Sequence, residues 1–83
     1  MIEPAANVRT LIEHIAKSLV EAPGEVFVEE YEDGDETVIE LEVAESDLGR
    51  VIGRSGRIAR ALRTVLSAAG SKHDKRYALE IIE

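Results

Sequence analysis

The sequence predicts an α+β domain with element order α-β-β-α-α-β, a three-stranded mixed sheet in order 1-2-3, and three helices on one face. Three observations lead there. Apolar residues recur at helical spacing in the first quarter of the chain and again after Gly56. Two β-type runs flank Asp33, Gly34 and Asp35, and a third alternating run closes the chain. Two glycines three apart, Gly53 and Gly56, divide the second helical region into a short helix, a turn and a long helix.

The first helix is expected over about residues 4–21. Pro4 suits a first helical turn, and Val8, Leu11, Ile12, Ile15, Leu19 and Val20 form one apolar stripe, with Ala16 filling the same face. Pro23 and Gly24 stop it. The hairpin spans about residues 25–44, and the Asp-Gly pair between its runs is a short-range turn signal. In its second strand Ile39, Leu41 and Val43 alternate with Glu40 and Glu42, so one face is buried and the other is wet. The first strand offers either Val26 and Val28 or Phe27 and Tyr31 to the core, and the pattern alone does not choose. The glutamates around the hairpin keep the open face and the edge solvated.

A helix-turn-helix segment follows over about residues 46–69. Ser46 is the expected N-cap, Asp47 suits the positive end of the helix dipole, and the short helix stops at Gly53. Ile58, Leu62, Val65, Leu66 and Ala69 make the apolar stripe of the long helix, with Gly70 as its expected C′ residue and SKHDK as a loop. The last strand is expected over about residues 76–82. The two-helix crossover sets strands two and three parallel, whereas the hairpin makes strands one and two antiparallel.

Eighty-three residues make one small domain, residues 1–83, and 45% apolar content is that of an ordinary globular chain. With no cysteine there is neither a disulfide framework nor a thiolate metal site. No apolar run approaches the ~20 residues of a membrane span. The opening MIEPAANVR lacks the order of a signal peptide. A cytoplasmic location is expected.

The net charge of −7 is unevenly spread. Residues 1–49 hold fourteen acids against Arg9 and Lys17, whereas residues 50–76 hold eight bases against Asp74 alone. The bases therefore gather around the glycine turn, where a cationic patch on an acidic body can attract a polyanion. The turn Gly53-Arg54-Ser55-Gly56 offers backbone N–H groups, one cation and one hydroxyl close to a helix start. Without Cβ atoms at its ends, a phosphodiester can approach the backbone closely. Ile52 and Ile58 beside it make an apolar strip on which about four unpaired nucleotides could lie. With aromatics at 4% and none near the turn, base contact falls to aliphatic side chains and arginine planes.

Catalysis finds little support. The glycine spacing matches neither a Walker phosphate loop nor a dinucleotide fingerprint. His14 and His73 have no partners at ligand or triad spacing, and the serines fall at caps and loops. No enzyme activity, metal, cofactor or small-molecule substrate is expected.

VIGRSGRIAR resembles the (I/V)-I-G-x-x-G-x-x-I signature of the KH domain, and α-β-β-α-α-β is the element order of its type II, bacterial form. The resemblance extends over essentially the whole chain. LIEHIAKSLVEAPGEV and DLGRVIGRSGRIARALRTVLSAAG are similar to the small single-KH bacterial proteins of the KhpA, or YlqC-like, group. The resemblance implies an RNA-binding, RNA-chaperone role in which Gly53, Arg54, Ser55 and Gly56 grip a single-stranded RNA backbone. Ile52 and Ile58 would border the groove floor, Arg57 and Arg60 would add backbone contacts, and Arg50 would be a further one. It also implies self-association as a homodimer or pairing with a larger KH-containing, Jag-like protein (KhpB). Two other readings stay open. One is a helix-turn-helix DNA reader using residues 57–69 in a major groove. The other is a protein-interaction module whose glycine turn is structural only.

Overall fold

The computed structural model describes residues 8–83 and follows the expected order: α1 (Val8–Leu19), β1 (Phe27–Asp33), β2 (Glu36–Glu42), α2 (Leu48–Ile52), α3 (Arg57–Lys72) and β3 (Tyr77–Ile81). The sheet runs β1-β2-β3, antiparallel between the first pair and parallel between the second. The start expected for the first helix at Pro4 lies outside the described residues. None of the described helices is long and apolar enough to cross a membrane.

The hairpin is tighter than the composition suggests. Asp33 pairs with Glu36, so only Gly34 and Asp35 form the loop. Gly34 takes φ +67°, the positive value that the first residue of a two-residue hairpin loop requires.

Burial settles the choice left open in β1. Val26 is buried and Val28 packs against the core, whereas Phe27 and Tyr31 face out. The core forms where β2 is covered. Ile39 and Leu41 meet Val8, Ile12 and Ala16 of α1, Val51 of α2, Leu62 and Leu66 of α3, and Leu79 of β3. Two residues expected in the apolar stripes depart from them. Leu11 and Val65 stay exposed, while the small residue Ala59, outside the expected stripe, is buried at the head of α3.

Both ends of the helical segment differ from expectation. α2 begins at Leu48 after a 3₁₀ turn, Glu45–Asp47, and the Ser46 side chain makes no cap bond there. Asp47 is drawn inward instead. It is buried, and its carboxylate accepts from the N–H groups of Glu21 and Ala22, both at 3.1 Å. Two orphan donors after α1 are thereby satisfied, and the end of the first helix is tied to the start of the second.

α3 runs past Gly70 to Lys72. The Gly70 carbonyl accepts from His73 N–H at 3.0 Å and from Lys75 N–H at 2.7 Å, while Asp74 takes φ +59°. This is a Schellman stop with Asp74 in the left-handed place expected of Gly70. Gly70 is needed for another reason. A Cβ there would run into the Lys75 carbonyl and lie 3.1 Å from the Tyr77 ring. The glycine lets the chain double back closely into β3.

Candidate nucleic-acid interface

The turn between α2 and α3 is built from backbone conformations that ordinary side chains resist. Gly53 sits at φ +78°, ψ 169°, closing α2 with its N–H on the Gly49 carbonyl at 2.9 Å. That region of backbone space is open essentially to glycine alone. Sterics impose the same choice, since a Cβ on Gly53 would stand 2.7 Å from Ile58 Cγ1 and 2.9 Å from Ile58 N. Gly56 follows at φ +75°, and its N–H reaches back to the Gly53 carbonyl at 3.1 Å. Between them Ser55 is held at φ +57°, a left-handed conformation in a non-glycine residue. The turn is therefore set by three successive constraints rather than by flexibility.

Arg60 supplies one of them. Its Nη1 donates to the Ser55 carbonyl at 2.9 Å, from one turn into α3. The head of the same side chain lies over Gly56, where a Cβ would meet it at 3.3 Å. Arg63 is likewise committed to its own chain, donating to the Leu79 carbonyl at 3.2 Å. Arg50 pairs with Glu21 at 3.1 Å and with the buried Asp47 at 3.3 Å. Arg54 and Arg57 differ. Both are exposed, and neither has an ion pair among the described residues.

The sequence-derived residues thus come together, with different engagements. Gly53 to Gly56 form the turn, and Arg57 opens α3 directly after it. Ile52 and Ile58 are half-buried, packed against the core while still reaching the surface on either side of the turn. No side chain caps the N-terminus of α3; the turn itself does so, with the Arg57 N–H on the Arg54 carbonyl and the Gly56 N–H on the Gly53 carbonyl. Sequence reasoning missed Asp47 as the anchor of this frame. Its two amide donors lie some 25 residues away, at separations of 25 and 26, and no local pattern signals such a bond.

A family model, the KH domain of KhpA/KhpB, matches residues 9–81. The chain belongs to the KhpA/KhpB KH-domain family. Among its relatives, the RNA-binding protein KhpA of Halalkalibacterium halodurans is 49% identical over 75 residues, covering 90% of this chain and 99% of that protein. The RNA-binding protein KhpA of Clostridium acetobutylicum is 51% identical over 74 residues, covering 89% and 99%. That of Treponema pallidum is 52% identical over 73 residues, covering 88% and 91%. Among solved structures, Aquifex aeolicus Era bound to GDP and AlF4− has a TM-score of 0.58 at 16% identity. The match covers 98% of this chain but only 31% of that one. This likeness is one of fold, and it gives the KhpA/KhpB arrangement seen here a counterpart inside a larger protein.

Proposed function

We propose that this chain binds single-stranded RNA by its backbone at the turn Gly53–Gly56, as a binding protein rather than an enzyme. The observation that carries the reading is the turn itself. Its glycine ends bear no Cβ, its conformation is braced, and it leads straight into α3 with Arg54 and Arg57 exposed and free of ion pairs among the described residues. These two cations meet the phosphates, and the glycine ends of the turn let the anionic chain approach the backbone closely. Ile52 and Ile58 supply the apolar border on which bases rest. Arg60 holds the turn through the Ser55 carbonyl, and Arg50 belongs to the supporting frame with Asp47. The printed names of the relatives, RNA-binding protein KhpA, support the ligand class.

The same reading places the protein in the cytoplasm as an RNA chaperone, acting as a homodimer or with a KhpB-type partner. The family model spanning KhpA and KhpB supports that pairing. A major-groove reader fits less well, because two of the three arginines in the first half of α3, Arg60 and Arg63, are spent on backbone carbonyls.

The decisive experiment replaces Arg54 and Ser55 together with Asp. RNA retention on short single strands should disappear while the circular dichroism spectrum and melting temperature stay near the parent's. Equal binding by that variant would show that the turn is not the site. Gel shifts of single-stranded RNA and duplex DNA at several salt concentrations separate the two nucleic-acid readings. Tighter, sequence-dependent duplex binding would replace this proposal with a DNA reader.

A further inference from the structure

Opposite the helices, the sheet leaves a face that the turn does not use. Strand register places Glu29, Glu40 and Glu80 side by side across all three strands, with Phe27 beside Glu42 on one flank and Tyr31 beside Val38 on the other. Phe27, Tyr31 and Ile82 are 56%, 43% and 41% exposed, which makes them three of the five large apolar side chains left open among the described residues. Phe27, Glu29, Glu40, Glu42 and Ile82 line a shallow depression of about 480 Å³ on this face. The base nearest the far end of the sheet, Arg76, is turned to Asp35 at 3.4 Å.

Like charges directly opposite one another on a sheet destabilise it. The row bears on Glu40. Burial, a hydrogen bond shared with Glu80, and the charges of Glu80 and Glu29 push its carboxyl above the usual range, while a bond with Tyr31 opposes them in part.

We infer that the open face of the sheet is a docking surface for a protein segment carrying lysine or arginine among apolar side chains. Charge complementarity selects this occupant. A nucleic acid would bring phosphates onto a row of three carboxylates. A second copy laid face to face would set glutamates against glutamates. A cationic, amphipathic segment neutralises the row and covers Phe27, Tyr31 and Ile82 in the same act, joining apolar anchors to an electrostatic register. The two faces would then work independently, with the cationic turn on nucleic acid and the acidic sheet on protein.

The test uses the intact chain, labelled with nitrogen-15, and a synthetic peptide with leucine on one face and lysine on the other. Saturable amide shifts should cluster at residues 27–31, 38–42 and 78–82. The same peptide with glutamate for lysine should leave them unmoved. Glu40→Lys should weaken binding by about tenfold or more without altering RNA retention. Glu80→Lys, on an exposed edge position, repeats the reversal should the first variant fail to fold. Shifts elsewhere, equal binding of the glutamate peptide, or indifference to Glu80→Lys would overturn the inference. So would self-association that these variants change, which assigns the face to a second copy, or RNA-induced shifts on it, which assign it to nucleic acid.

Discussion

The glycine turn and the open sheet face are opposites in how they are made. At the turn, the backbone carries the specificity. Gly53, Ser55 and Gly56 all hold positive φ, and the charged side chains around them are either braces or free cations. On the sheet, the backbone is ordinary and joined strand to strand by its ladders, and the side chains carry everything. The difference teaches where each surface is fragile. A turn defined by backbone geometry is damaged by adding a single methyl group. A face defined by side chains is retuned one charge at a time.

The largest effect should come from that methyl group. Gly53→Ala combines an alanine in glycine-only backbone space with a clash against Ile58, and it should cost about 3 kcal/mol of stability. Denaturant unfolding reads this directly, and RNA retention should fall with it. A variant as stable as the parent would mean that the turn tolerates other conformations, and the contrast with the sheet would collapse.

A smaller effect is expected from Arg57→Gln, which removes a free cation and leaves the frame alone. Affinity for single-stranded RNA should drop about three- to tenfold, and the slope of log affinity against log salt should shrink by about 0.7. The same measurement on Glu80→Gln should leave both values where they are. If Glu80→Gln moved the slope as much as Arg57→Gln, the two surfaces would not be electrically separate.

The smallest effect is on the pH profile of stability. Glu40 has its pKa raised in the folded chain, so the native state holds its proton more tightly than the unfolded state. Its stabilising contribution is complete below the ordinary carboxylate pKa and is lost as pH climbs through the raised folded value. Glu40→Gln should therefore flatten the fall in stability between those two pH values. At neutral pH it should leave the protein more stable than the parent, as measured by melting temperature across a pH series. An unchanged slope, or a loss of stability at neutral pH, would show that the glutamate row carries no strain.

Much of this was legible in the chain because it is local. The helical stripe from Val8 to Val20, the Gly34 loop and the Gly53–Gly56 pair each announce themselves within a few residues. Places where reading the sequence failed turn on contacts that no residue pattern announces. Ser46 looks like a cap, yet Asp47 takes the structural role by reaching amides of the segment after α1. Gly70 looks like a helix stop, yet it clears space for the Lys75 carbonyl while Asp74 makes the stop. Val65 has helical spacing for the core, yet it stays exposed while Leu62 and Leu66 on either side of it are buried.

By itself the sequence determined the element order, the antiparallel hairpin, the position of the turn and the gathering of bases around it. Periodicity, turn chemistry and charge are properties of neighbouring residues, and they survive without coordinates. Only the tertiary structure decided which arginines are free and which are spent, since Arg50, Arg60 and Arg63 find their acceptors through packing. It alone also set Glu29, Glu40 and Glu80 in one row, because strand register brings together residues up to 51 positions apart in the sequence. Distance along the chain hides such neighbours, and folding is what makes them meet.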